Sequence, residues 1–343
     1  MLPYYIQPDV LNLTGKPHSF RNAMPSEFEL IRRYFTRPTS HADLAVGDDA
    51  ALLRVASGMQ LAVTTDTLAA GTHFFHDTPP SDLGWKTLAV NLSDLAAMGA
   101  APRWATLALT LPAVDEGWVE AFAEGFFDCA GRYGVELVGG DTTHGPLAMT
   151  VTLFGEVPTG QAITRSGGQP GDDLWISGCP GLGALGLMAL QNRVQLAHAG
   201  QALAALHRPT PRVEAGEALR GVAHAMLDVS DGLAGDLAHL CECSKLGALL
   251  DAEALPIAPL IAAGIDGSLA RQVLLTGGDD YELLFSASPK VRSVLARLAK
   301  KLSLPFTRIG QLTEGEQILL ADGPKAPPRP LNVRGYDHFA PPD

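Results

Sequence analysis

Aspartates gather in six short motifs that read as strand ends and glycine-rich turns. They are "GDDAA" (Asp48, Asp49), "TTDT" (Asp66), "NLSD" (Asp94), "GGDTT" (Asp141), "LDVSDG" (Asp228, Asp231) and "GGDDYE" (Asp279, Asp280). Glycine beside a carboxylate lets backbone and side chain approach a ligand closely, although Asp and Gly are also ordinary turn formers. Asp94 is set among Leu92, Leu95, Ala96, Ala97 and Met98, and a charge in apolar surroundings needs a partner. If the motifs converge, two carboxylates at 4 Å repel by roughly 4 kcal/mol at an effective dielectric of 20. Such a cleft stays ionised only around cations. Oxygen donors without His or Cys select Mg²⁺ over zinc or copper, and Mg²⁺ commonly bridges carboxylates to phosphates. The pattern predicts a metal-dependent phosphate site, with Asp48 and Asp49 left as alternatives within their motif.

Other chemistries are less well provided for. There is no G-x-x-x-x-G-K-[ST] and no protein-kinase signature. "GLGALG", from 181 to 186, matches the dinucleotide fingerprint after a strand, but lacks an acidic residue about 20 positions on. Its glycines are then read as serving tight packing or a turn. G-x-S-x-G is absent, and Ser230 reads as a helix cap. His73 in "AAGTHFF" is either structural or a substrate contact. Arg165 in "TRSGGQPGD" suits bidentate phosphate binding or a surface ion pair. Tyr336 and Phe339 in "VRGYDHF" either stack on a flat heterocycle or anchor the tail.

Strands and helices must carry these motifs. Apolar periodicity predicts helices from 26 to 35, 82 to 98 and across 119–133, the first capped by Ser26. "MQLAVTTDTL" reads as a buried strand, "PRWATLALTLP" and "PLAMTVTLFGEV" as strands, and "GVELVGGDTT" as a short strand broken by Gly139 and Gly140. The turn-rich "PTGQAITRSGGQPGDD" is the expected domain joint. Beyond it come strand "LWISG", helices near 183–191 and 212–224, strand "AMLDVS" and helix 233–243. Strand "LLTGG" into "YELLFSAS", helix 291–301 and a closing strand region complete the chain. The class is mixed α/β or α+β. The expected division is an extension over 1–23, an N-terminal domain over 24–157 and a C-terminal α/β domain over 158–343. Asn-Leu-Ser-Asp-Leu in the first half loosely echoes Asp-Val-Ser-Asp-Gly-Leu in the second.

Bulk composition sets the frame. The 343 residues carry 46% hydrophobic and 18% charged side chains and a formal charge of −12. That excludes general disorder and argues against nucleic acid or anionic membrane as partners. Cysteines 129, 179, 241 and 243 form no C-x-x-C pair and read as free thiols in a reducing compartment. No apolar run reaches the ~18 residues of a membrane span. The opening segment lacks a basic start and an apolar stretch, so no secretory signal is expected and the cytoplasm is.

Taken together, "GDDAALL", "TTDTLAAGTHF", "WKTLAVNLSDLAAMGAAP", "GGDTTHGPL", "TRSGGQPGD", "LDVSDGL", "GGDDYELLF" and "GYDHF" resemble the thiamine-monophosphate kinase family, from about residue 24 to 339. That family sits in the superfamily of aminoimidazole ribonucleotide synthetase and selenophosphate synthetase. The latter branch places a reactive cysteine in an N-terminal loop, and none precedes Cys129 here. The resemblance implies a two-domain aminoimidazole ribonucleotide synthetase-like fold, with N-terminal sheets paired across a homodimer. It implies ATP as co-substrate, several Mg²⁺ ions, and direct in-line transfer onto thiamine phosphate without a phosphoenzyme. It places metal ligands at Asp49, Thr64, Thr65, Asp66, Asp94, Asp141, Asp228 and Asp231. Nucleotide contacts fall at Gly140, Asp141, Arg165 and Ser230, and substrate contacts at His73, Asp279 and Tyr336. The family usually has Gly-Gly-Glu-Asp-Tyr-Glu, so Asp279 is one methylene short of the usual residue.

Overall fold

The computed structural model describes residues 25–323 and 326–331; Tyr336 and Phe339 lie outside them. Ser26 and Glu29 form a capping box that opens α1 (Glu27–Leu30), as the spacing predicts. The chain then widens into a π-helical turn, Ile31–Phe35. A small hairpin, β1 (Ala42–Leu44) and β2 (Leu52–Leu53), leads to β3 (Met59–Ala69). Helices α2 (Pro80–Ala97) and α3 (Glu116–Tyr133) alternate with β4 (Ala101–Leu111), β5 (Glu136–His144) and β6 (Ala148–Pro158). These strands form a sheet in the order β3-β6-β4-β5, in which only β4 and β5 are parallel.

Strand residues alternate between faces, and α2 and α3 cover one of them. Leu107, Leu109 and Leu111 of β4 share a core with Phe122 and Phe126 of α3. β3 departs from the buried strand expected of it. It is an edge strand whose odd positions face away from the helices, leaving Leu61 42% and Val63 55% exposed. β5 runs unbroken through Gly139 and Gly140, with a register slip against β4 in place of the expected break. Gly140 is required there, because a Cβ would stand 1.9 Å from the Leu107 carbonyl oxygen.

The second half contains β7 (Asp173–Ser177), α4 (Leu182–Leu190), α5 (Gly200–His207), α6 (Val213–Ala218), β8 (Ala225–Val229), α7 (Leu233–Ser244) and β9 (Gly247–Asp251). It continues with α8 (Ala258–Ala262), α9 (Gly267–Thr276), β10 (Glu282–Ala287), α10 (Arg292–Leu302), β11 (Phe306–Thr313), β12 (Ile318–Ala321) and β13 (Arg329–Pro330). The sheet order is β13-β12-β9-β11-β7-β10-β8. The expected strand at "LLTGG" is instead the last turn of α9, whose N-cap Asp266 accepts from the backbone of Ser268 and Leu269. A short apolar run suits either element, and the cap decides for the helix. The helix expected over 212–224 stops at Ala218.

One core runs from Leu107 and Met149 through Leu88 and Leu92 of α2 to Met226, Leu283 and Phe285 of the second sheet. A separate core on that sheet's far face holds Leu227, Val229 and Leu284 with residues of α4, α7 and α9. α2 is therefore sandwiched between two sheets and buried on nearly every side. It packs against α3 through glycines: a Cβ on Gly84 would lie 2.0 Å from Phe122 O, and one on Gly125 1.8 Å from Ser81 O.

Candidate active site

The position of α2 answers why carboxylates sit in apolar sequence. On β3, Thr64 and Asp66 point inward with Leu68 and meet Asp94 of α2. The Thr64 hydroxyl donates to Asp94 at 2.5 Å, and the Asp66 and Asp94 carboxyls share a hydrogen bond. On β8, alternation turns Met226 and Asp228 toward α2, and the Ser93 hydroxyl donates to Asp228 at 2.6 Å. The turn after β8 brings Ser230 and Asp231. Their backbone N–H groups donate to Asp236 of α7, each at 3.1 Å.

Burial and mutual repulsion leave this cluster short of cations. Burial, then the charge of Asp94, pushes Asp66 up to about 6. Burial raises Asp94, against the Thr64 hydroxyl and the Arg165 guanidinium, which favour its ionised form. Asp228 rises to about 7, first by burial and then by Asp94. Asp236 also rises to about 7 through burial, and Arg165 acts on it in the opposite sense. Arg165, exposed in the joint, thus stands within electrostatic reach of the acidic cluster.

The cluster forms one end of a cavity of about 490 Å³. Asp66, Asp94, Asp228, Ser230 and Asp231 line that end. The rest of the lining is largely apolar, with Phe74, Phe75, Leu83, Leu187, Leu190 and Leu206 beside His73, Lys86, His207 and Asp279, the last joined to Ser230 by its backbone N–H. His73 is held by its neighbourhood: its Nδ1 accepts from Ala69 N at 3.0 Å. In the turn before β10, Asp279 and Tyr281 face the cavity and Asp280 faces away. Asp279 and Tyr281 are non-glycine residues at φ 64° and 54°, a conformation that persists only where the surroundings over-determine it. Asp280 accepts from the backbone N–H groups of Gly181 and Gly183 at the start of α4. The "GLGALG" backbone is thereby occupied by an internal carboxylate. A Cβ on Gly183 would stand 2.3 Å from Asp279 O and one on Gly186 2.4 Å from Ala202 O. These glycines serve close packing, and the dinucleotide alternative falls.

Of the residues singled out in the sequence, Asp66, His73, Asp94, Asp228, Ser230, Asp231 and Asp279 come together in this cavity, with Thr64 bonded to its edge. Others do not join it within one chain. The Thr65 side chain lies on the outer face of the sheet, paired with Thr152. Gly140 and Asp141 are on β5, the opposite edge of the sheet from β3, three strand spacings or about 14 Å away. Asp49 is exposed in the turn before β2. The sequence singles out neither Lys86, Asp236 nor Tyr281, and offers Ser93 only as a nucleophile lacking a nearby histidine, whereas its hydroxyl holds Asp228. Lys86 had a signal: it stands eight residues, two helical turns, before Asp94 on the same helix.

Residues 47–157 match the AIR synthase related protein N-terminal domain, and residues 169–321 match the C-terminal domain of the same description. Fold and cleft therefore define a two-domain AIR synthase related protein. Within that class the similarity is specific. Thiamine-monophosphate kinase of Escherichia coli (strain K12) is 48% identical over 324 residues, 92% of this chain and 99% of that protein. The crystal structure of thiamine-monophosphate kinase from Stenotrophomonas maltophilia K279a aligns with a TM-score of 0.77 at 48% identity, over 82% of this chain and 91% of its own. AaThiL complexed with AMPPCP and TMP aligns with a TM-score of 0.71 at 29% identity, over 86% and 92%. The chain belongs to the thiamine-monophosphate kinase family.

Proposed function

We propose that this chain transfers the γ-phosphate of ATP onto thiamine phosphate to give thiamine diphosphate, acting as a Mg²⁺-dependent cytoplasmic homodimer. One observation carries the reading: a chain 48% identical to a thiamine-monophosphate kinase over 92% of its length gathers Asp66, Asp94, Asp228 and Asp231 at one end of one cavity. AaThiL, which holds AMPPCP and TMP together, supports adjoining nucleotide and acceptor sites.

The donor set fits a hard divalent cation. It is made of carboxylate and hydroxyl oxygens, and both the burial that chiefly raises Asp66 and Asp228 and the Asp94 repulsion that adds to it are offset by added positive charge. Among the described residues no three His, Cys, Asp or Glu side chains already form a metal shell, so the carboxylates turn toward the ion as it binds. Asp66, Asp94, Asp228 and Asp231 are the ligands we assign within the chain, with Thr64 beside them. Bound Mg²⁺ would neutralise the polyphosphate and polarise the transferred phosphoryl group. Arg165 and Ser230 then face the nucleotide phosphates, and the substrate phosphate lies in line between them and the apolar lining. His73 and Asp279 flank the heterocycle. Positioning and charge neutralisation suffice, and no side chain needs to carry the phosphoryl group.

The homodimer is supported by the outer sheet face, where exposed Leu61 and Val63 continue into Thr65 and Thr67 on an edge strand. Apolar residues on an uncovered edge call for a partner. Thr67, bonded to Thr150 on that outer face, also lines the cavity, so the cavity reaches round the edge of β3. Sheet pairing is the arrangement by which Thr65, Gly140 and Asp141 join an acidic cleft. The test is direct: pure protein, ATP, Mg²⁺ and thiamine phosphate should yield thiamine diphosphate and ADP in equal amounts. ATP consumption without thiamine diphosphate overturns the reading.

A further inference from the structure

Asp236 is only 5% exposed, and it is not among the residues that line the cavity. Its Oδ2 accepts from two consecutive backbone N–H groups, those of Ser230 and Asp231, each at 3.1 Å. Both of those residues line the cavity. Asp236 stands in the first turn of α7, whose N-cap Gly232 supplies no side-chain cap. Its own N–H donates to Gly232 O at 3.0 Å, so the helix holds the carboxylate behind the turn.

The turn is gripped from its other side as well. The Asp279 N–H donates to Ser230 O at 2.9 Å, and the Tyr281 N–H donates to Val229 O at 2.8 Å. A Cβ on Gly278 would stand 2.4 Å from Ser230 O, and one on Gly232, at φ 106°, 2.9 Å from the Thr276 carbonyl carbon. The peptide that joins Ser230 to Asp231 is therefore bonded at both ends, its carbonyl by Asp279 and its N–H by Asp236. It cannot rotate without losing both bonds.

Adjacent N–H groups at the start of a helix make an anion-binding concavity, and the helix dipole adds to it. Left open, this one would draw a phosphate or a carboxylate of the acidic cluster. Asp236 fills it from within the protein. The turn then offers the cavity oxygen ligands in place of N–H donors, and the charge of Asp231 is felt at Asp66. We infer that Asp236 is a positioning residue for the cation site: by occupying the backbone N–H groups of Ser230 and Asp231, it fixes the turn that presents Asp231 to the ion. This rests on the Mg²⁺-dependent reading proposed above.

The experiment titrates Mg²⁺ into the metal-free protein and follows the melting temperature, then repeats the titration by turnover at fixed ATP and thiamine phosphate. Asp236→Ala should raise the Mg²⁺ concentration at half-effect about tenfold in both titrations, as the loss of a group that orients a metal ligand typically does. Asp236→Asn keeps a side-chain carbonyl oxygen for both N–H groups and should stay close to wild type. A merely structural role lowers the melting temperature of Asp236→Ala without changing its Mg²⁺ requirement, and that result would overturn the inference. So would an Asp236→Asn protein as impaired as Asp236→Ala. Should Asp236→Ala not fold, hydrogen exchange of the metal-free wild type decides: the Ser230 and Asp231 amides should be protected, and exchange at the rate of an open turn overturns the inference. A wild-type protein whose melting temperature and turnover both ignore Mg²⁺ would instead overturn the metal-dependent function on which it rests.

Discussion

Asp94 is proposed above as a metal ligand, and its surroundings make it a liability for stability that only a bound cation would offset. It is half-buried beside Asp66, and its charge is among the causes that raise Asp228. It accepts hydrogen bonds from the Thr64 hydroxyl and the Asp66 carboxyl. A buried carboxylate without full compensation costs stability, so the Asp94→Asn substitution should leave the fold intact and its melting temperature unchanged or higher. The same change should lower kcat by about 10²–10³-fold, the loss typical of removing one electrostatic contact from a reacting centre. Mg²⁺ should raise the melting temperature of the wild-type protein by several degrees; an ion at about 100 times its Kd adds roughly 2.7 kcal/mol. In Asp94→Asn that increment should be much smaller. A thermal-shift titration in EDTA and in Mg²⁺ measures both effects, and an equal increment in the two proteins would remove Asp94 from the ligand set.

The elements explain why some of this was readable in advance. The Asp66, Asp94, Asp228 and Asp231 motifs announced themselves because their neighbours are apolar or glycine, which local sequence displays. Lys86 and Tyr281 did not, because their roles depend on α2 lying against the turn before β10, a contact between residues 193 positions apart in the Lys86–Asp279 case. β3 was misread as buried for a similar reason: alternation is legible, but which face is covered depends on where α2 and α3 settle. The α2–α3 contact is also testable. Gly125→Ala would place a methyl on Ser81 O and should cost about 3 kcal/mol by overpacking, with kcat falling as Asp94 shifts. Gly131→Ala on the same helix meets nothing within 4 Å and should raise stability by up to ~1 kcal/mol. Chemical denaturation of the two variants separates packing from helix propensity.

A second element-level contact fixes the β1–β2 hairpin that carries Asp49. Glu136 at the start of β5 accepts from Ser40 and His41, backbone and side chain. Burial alone raises its carboxyl, but those hydrogen bonds prevail and hold it below its ordinary 4.5. A carboxylate depressed on folding contributes stability that is present above its unfolded value and is lost as pH falls through the folded one. The melting-temperature gap between wild type and Glu136→Gln should therefore be full near pH 6 and shrink below about pH 4. A gap that stays constant across that range would show that the contact is not ionic.

At the scale of the whole molecule, the question is whether Asp141 joins the cleft of a partner chain. It is exposed on β5 and lies across the sheet from Asp66, while the cavity opens round β3 through Thr67. If paired sheets carry Asp141 of one protomer to the cleft of the other, each active site draws on both chains. Asp94→Asn and Asp141→Asn should each be nearly inactive as homodimers. Mixed by co-refolding, they form hybrids in which one cleft combines the intact Asp94 of one chain with the intact Asp141 of the other. With random pairing, half of the dimers are hybrids with one working site each, so activity should return to about a quarter of wild type, as two-fold symmetry requires. If Asp141 serves its own chain, neither cleft of the hybrid is whole and activity stays at the level of the separate variants. The recovered fraction thus decides whether the acidic site belongs to one chain or to the pair.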